Sequence, residues 1–342
     1  MSDERSSLPP LADGYETGPL PARPRVLFMG TPEFAVPSLK ALAESGVEVV
    51  GVVSQPDRPK GRGKRLTRTP VAATADELGL EVYQWARLSQ ESFDVLSALK
   101  PDLTVVIAYG KILPRRYLAL PRWGCVNLHG SLLPAYRGAA PIQWSVIHGE
   151  QETGVSVMRL DEGMDTGPVA LTRSTPIGPQ ETTGQLYERL AQLASEALTE
   201  ALTLWRRPEG LQFMEQDHAS ASHAPMLSKE DGLIDWSRDA RALSNLTRGV
   251  SPWPGAHVRS PEGALKIHEV LPLDDAELEA LGPEATLASP GVVISAEGEG
   301  PVVRCGQGAL RLLTLQRPNR SRVSGADFIR GSATLKVGAP LT

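Results

Sequence analysis

Short apolar runs that close on glycine or a polar residue, separated by stretches with helical spacing, most tightly limit what this chain can fold into. Arg25-Val-Leu-Phe-Met-Gly30, Val47 to Val53, Leu103 to Ala108 and Gly124 to His129 each read as a buried strand. Between them the spacing predicts a helix that opens at Thr31-Pro32-Glu33 and ends at Gly46, and a second from about Val71 to Leu78, with a short strand at Leu80 to Tyr83. Such alternation implies an α/β, Rossmann-like domain with a mainly parallel sheet, whose ligands sit beyond the carboxyl ends of the strands. The first turn, Gly30-Thr-Pro-Glu-Phe34, lacks the G-x-G-x-x-G pattern, and Pro32 removes a backbone donor. A dinucleotide cofactor is therefore not expected.

At 342 residues the chain is longer than one core usually organises. Residues 1–24 are rich in proline and carry Asp3, Glu4, Asp13 and Glu16; they read as a disordered tail, with neither a secretory nor a transit pattern. A catalytic domain is expected over 25–207, closed by a long amphipathic helix from Gly184 to Trp205. Residues 208–228 are polar and irregular and read as a linker. Over 229–342, a helix near Ala240 to Thr247 precedes β-like runs at Ala264 to Leu271, Gly291 to Ser295, Pro301 to Arg304 and Ala309 to Leu315. That rhythm predicts a small antiparallel barrel. No membrane-length apolar run occurs, and Cys125 and Cys305 form no disulfide framework. A reducing, cytoplasmic setting is expected.

The densest polar signal lies in Asn127-Leu-His-Gly-Ser-Leu-Leu-Pro-Ala-Tyr-Arg-Gly138. Strand side chains alternate, so Asn127 and His129 share a face while Val126 and Leu128 pack on the other. Polar groups on an apolar strand are costly unless paired, so they read either as a satisfied buried pair or as two donors for one substrate oxygen. After the next strand, Val155 to Leu160, comes Asp161-Glu-Gly-Met-Asp-Thr-Gly167. Asp165 could reach His129 and favour its imidazolium form, or could simply bond its own backbone in a turn. Asp161, Glu162 and Asp165 raise the thought of a divalent cation, but no second acidic cluster supports it, and no metal is expected.

Formal charge is −5, which argues against a uniformly basic nucleic-acid coat. Against that background Arg58, Lys60, Arg62, Lys64, Arg65 and Arg68 concentrate positive charge in a Pro/Gly-rich loop expected to be mobile. A second basic stretch holds Arg304, Arg311, Arg317, Arg320, Arg322, Arg330 and Lys336. Each reads as a solvated surface or as a contact for nucleic-acid phosphates.

Together with Gln55-Pro-Asp-Arg-Pro, Gly61-Arg-Gly-Lys, Ala108-Tyr-Gly-Lys-Ile-Leu-Pro, Leu227-Ser-Lys-Glu and Ile234-Asp-Trp, these motifs resemble the methionyl-tRNA formyltransferase family from about Arg25 to Arg330. The resemblance implies a formyltransferase fold with a C-terminal, OB-like domain that helps hold tRNA. It implies 10-formyltetrahydrofolate as formyl donor and initiator methionyl-tRNA as acceptor; a monomer is expected, and the chemistry requires no metal. It carries the catalytic roles to Asn127, His129 and Asp165, and folate contacts to Ser131, Leu132, Leu133 and Pro134, with Lys111, Ile112 and Leu113 flanking the pterin. It carries tRNA contact to the loop from Arg58 through Arg68, with Arg62 foremost. In the expected chemistry Asn127 and a protonated His129 stabilise charge on the formyl oxygen, while Asp165 orients His129 and relays the amine proton. Two other readings stay open: formylation of a small amine by the same three residues, and a non-catalytic tRNA-binding protein.

Overall fold

The computed structural model describes residues 14–60, 63, 65–260, 263–331 and 336–341. The chain divides into two compact units, one of residues 1–141, 153–175 and 187–224, the other of residues 142–152, 176–186 and 225–342. This differs from the expected boundaries at 207 and 228. Residues 208–224 belong to the first unit rather than to a linker, and 142–152 and 176–186 go with the C-terminal unit.

The first unit is built on a seven-stranded sheet ordered Val169–Pro176, Glu152–Arg159, Cys125–His129, Leu103–Ile107, Arg25–Gly30, Glu48–Ser54, Val82–Gln84. The pairings from Cys125–His129 through to Val82–Gln84 are parallel. The central strands are continuous apolar runs because both of their faces are covered: Val26, Leu27, Phe28 and Met29 are all buried. At the carboxyl edge, the Thr31 hydroxyl donates to the Tyr109 carbonyl at 3.1 Å and accepts the Gln55 N–H at 3.3 Å. One side chain thus ties the turns that follow three adjacent strands.

Glu152–Arg159 runs antiparallel to Cys125–His129, with Arg159 opposite Val126 and Ser156 opposite His129. The loop carrying Asp165 therefore leaves the sheet beside the start of the Asn127 strand, not beside its carboxyl end. The basic segment, expected to be a mobile Pro/Gly-rich loop, contains a short antiparallel pairing of Arg58–Lys60 with Arg65–Thr67.

Residues 14–24 also belong to the fold, which corrects the expectation of a disordered tail reaching Pro24. Tyr15 and Leu20 are buried. The Tyr15 hydroxyl donates to the Leu118 carbonyl at 3.1 Å, the Trp123 indole N–H donates to Gly18, and the Leu20 N–H donates to Trp205. The Arg159 guanidinium lies 5.1 Å from the Tyr15 ring centroid and 4.0 Å from that of Phe213. Proline reduces the entropy lost on fixing a chain, so a proline-rich segment with buried anchors packs without regular structure.

In the second unit, the Asp239 carboxylate caps the helix Ala240–Gly249 by accepting from the N–H groups of Arg241 and Ala242. An antiparallel sheet follows in the order His257–Ser260, Gly263–Leu273, Ala309–Gln316, Val302–Arg304, Val293–Ser295, with Val323–Ser324 beside Ala309–Gln316. The expected β-rich C-terminal domain is present; among the described residues no pairing closes its sheet into a barrel. No helix of the described residues is long and apolar enough to cross a membrane.

Candidate active site

Alternation along Cys125–His129 acts as the sequence implies: Val126 and Leu128 are buried in the packed layer, and Asn127 and His129 share the other face. Asn127 is half-buried, and among the described residues its side-chain amide makes no hydrogen bond. The amide is therefore not a satisfied structural group. His129 is only 5% exposed. Its Nε2 lies 2.8 Å from the Tyr136 carbonyl, and because a carbonyl can only accept, Nε2 is the donor. The opposite nitrogen, Nδ1, faces Asp165 Oδ2 at 3.8 Å. That spacing suits an ion pair when the ring is protonated and is too long for a direct hydrogen bond.

Asp165 reaches this position through a loop that returns along the sheet. Its φ of +56° is left-handed, a conformation that aspartate tolerates better than most residues. The Gly138 N–H donates to Asp165 Oδ2 at 2.8 Å. Gly138 is required there, since its φ is +119° and a Cβ would lie 2.7 Å from the Ala224 carbonyl oxygen. The other acids of the loop are occupied elsewhere. Asp161 accepts from Thr166 and from the Gly163 N–H, and Glu162 faces Arg115 at 3.5 Å. No group able to hold a metal ion occurs among the described residues.

Ser131 to Pro134 form a turn wrapped on Ser156, which stands opposite His129 in the sheet. The Ser156 hydroxyl donates to the Ser131 carbonyl at 2.8 Å and accepts the Leu133 N–H at 3.0 Å; the Ser131 hydroxyl donates to Ala135 at 2.7 Å. Ser131 is thus committed to the turn, while Leu132, Leu133 and Pro134 are half-buried. Lys111, Ile112 and Leu113 do not form one surface. The Lys111 ammonium donates to the Trp85 and Ala86 carbonyls, Ile112 is 79% exposed, and Leu113 is buried in the core cluster with Leu27 and Met29.

In the basic hairpin, Arg58 and Arg65 are exposed. Arg62, Lys64 and the Lys60 side chain lie outside the described residues. Arg68 is held at the base: its guanidinium makes two 2.8 Å bonds to Asp76 and one of 2.6 Å to Gln84. The bond to Arg68 is the main cause that keeps the Asp76 carboxyl below the usual range. Arg68 is therefore a clamp for the hairpin rather than a free cation.

The residues that sequence reasoning missed are Ser156, Arg137 and Gln216. Ser156 interrupts an apolar strand and Arg137 an Ala/Gly-rich turn, and both were visible signals of buried polar contacts. Gln216 sits in a polar stretch with no local signal.

The family description "Formyl transferase" matches residues 23–202, and "Formyl transferase, C-terminal domain" matches residues 226–333. The chain belongs to the formyl transferase family. The methionyl-tRNA formyltransferase of Citrifermentans bemidjiense is 46% identical over 308 residues, covering 90% of this chain and 93% of that one. That of Gluconobacter oxydans is 42% identical over 314 residues, covering 91% and 98%. Among solved structures, the N-formyltransferase from Helicobacter canadensis in complex with folinic acid and dTDP-3-aminofucose superposes with a TM-score of 0.62 at 15% identity, covering 84% of this chain and 98% of its own. HypX from Aquifex aeolicus in complex with tetrahydrofolic acid superposes at 0.56 with 17% identity, covering 90% and 47%. At those identities the structures attest the formyl transferase fold and nothing finer.

Proposed function

We infer that this chain transfers the formyl group of 10-formyltetrahydrofolate to the α-amine of the methionine on initiator methionyl-tRNA. What supports the reading is that Asn127 and His129 share one face of their strand and Asp165 Oδ2 lies 3.8 Å from His129 Nδ1, within a chain of the formyl transferase family. Relatives that carry the methionyl-tRNA formyltransferase name match about nine-tenths of the chain, C-terminal domain included, which favours the tRNA substrate over a small amine.

The donor set suits an acyl oxygen: a half-buried amide with no partner among the described residues, next to a buried imidazole. The folate supplies an activated one-carbon acyl group when bound. Asn127 donates its amide N–H to the oxygen on which negative charge develops. His129 has Nε2 fixed to Tyr136, so Nδ1 is the atom left to hold or pass a proton, with the Asp165 carboxylate 3.8 Å away as a facing charge. Leu132, Leu133, Pro134 and Ile112 offer apolar surface to the folate, while Ser131 shapes the turn. Arg58, Lys60, Arg62, Lys64 and Arg65 meet tRNA phosphates, with Arg68 holding their hairpin. The reading includes a monomer working in the cytoplasm without a metal.

The test is direct. The purified chain is given 10-formyltetrahydrofolate with methionyl-tRNA or with a nucleotide-linked amino sugar. N-formylmethionyl-tRNA as the sole product upholds the reading, and formylation of the sugar alone overturns it.

A further inference from the structure

The segment 208–224, which looks like a linker, delivers Gln216 to the main chain of the Asp165 loop. Gln216 is 7% exposed, and every polar atom of its side chain is engaged. Its Nε2 donates to the carbonyls of Asp165, at 2.9 Å, and Gly167, at 2.7 Å. Its Oε1 accepts from Arg137, at 3.1 Å from Nε and 2.7 Å from Nη2. Arg137 is itself 5% exposed, and its guanidinium also donates to His218 Nδ1 at 3.0 Å. Because a guanidinium only donates and a carbonyl only accepts, the amide has one allowed orientation. The segment is fixed independently by Met214, whose backbone pairs with Val169, and by the pairing of His223 and Ala224 with Arg137 and Gly138.

We propose that Gln216 is a positioning residue for the transfer reaction, a latch anchored on Arg137 that grips the main chain of the Asp165 loop. Asp165 is held twice: its side chain by the Gly138 N–H and its carbonyl by Gln216. The two grips join, because Gly138 follows Arg137 directly. Asp165 holds a left-handed backbone, and the two grips fix that conformation from its side chain and from its carbonyl. The catalytic consequence rests on the function inferred above; the latch itself does not.

The test is Gln216→Glu. Glutamate keeps the shape and still receives Arg137, but it has no N–H for the two carbonyls and turns an oxygen toward them. Amide exchange at Gly138, the reporter of the Asp165 contact, is expected to accelerate at least about tenfold. The kcat for methionyl-tRNA is expected to fall at least about tenfold with each KM within about threefold, yet less than about twofold further in an Asp165→Asn background. Unchanged Gly138 exchange, or an equal fall in kcat in both backgrounds, overturns the latch. Should Q216E fail to fold, Gln216→Met removes donor and acceptor without adding charge, and the same two measurements on it uphold or overturn the latch in the same way. Exchange needs no substrate, so a wild-type chain that leaves methionyl-tRNA unformylated defeats the functional reading alone, and Gly138 still decides the latch.

Discussion

Asn127→Ala separates catalysis from stability more cleanly than any other substitution in the site. Removing one donor aimed at a developing oxyanion costs about 10²–10³ in turnover, or roughly 2.7–4 kcal/mol. The same change leaves no protein group orphaned, because the amide has no partner among the described residues. Val126 and Leu128, which anchor the strand, are untouched. Stability should therefore shift by less than about 1 kcal/mol. His129→Ala differs: it removes a buried ring and takes the Nε2–H donor from the buried Tyr136 carbonyl, and losing the partner of a buried polar group costs about 1–3 kcal/mol. Single-turnover formylation and urea unfolding on the two variants measure both quantities. An Asn127→Ala enzyme within about twofold of the wild-type rate, or one destabilised as much as His129→Ala, refutes the reasoning.

Other outcomes follow from the same contacts. Gly138→Ala forces a Cβ to 2.7 Å from the Ala224 oxygen at a φ of +119° and should cost about 1–3 kcal/mol in urea unfolding, with a fall in kcat as the N–H moves off Asp165. Tyr15→Ala removes a buried ring and its bond to Leu118, and should cost about 3 kcal/mol while both KM values stay put. Burial pushes the Cys125 and Cys305 thiols up to about 12, so neither should react with Ellman's reagent in the native protein at pH 8, and both should react in urea. The Asp76 carboxyl lies below its ordinary value of 3.8 because of Arg68, so the clamp contributes above that pH and is lost as pH falls below it. Hairpin amide shifts followed by NMR from pH 6 to pH 2 should move only at the acid end, and Arg68→Ala should abolish that step.

How much of this was legible in the sequence depended on the kind of force involved. The central strands were readable because burial on both faces demands continuous apolar runs, and the Asn127–His129 pair because alternation puts them on one face. That Asp165 faces His129 is one of two readings the sequence leaves open, and the route was not legible: the preceding strand runs antiparallel, and the loop reaches His129 by doubling back. Strand sense is set by long-range pairing, which no local pattern encodes. The helix Gln90–Ala98 gives little local sign of itself although Ser89 and Ser92 cap it reciprocally, a signal that two serines carry only weakly. Gln216 and residues 14–24 were hidden for a shared reason: their polar or proline-rich composition is that of exposed chain, while part of their anchoring is to main-chain carbonyls, which composition does not show.

The proposed catalysis turns on whether the formyl oxygen sits against the Asn127 amide, beside His129. A crystal structure of the chain with 10-formyltetrahydrofolate bound, in the absence of an acceptor amine, measures this directly. The formyl oxygen is expected about 2.7–3.1 Å from Asn127 Nδ2, with His129 Nδ1 and Asp165 bordering the same space. A folate bound with its one-carbon unit out of reach of both Asn127 and His129 would contradict that chemistry.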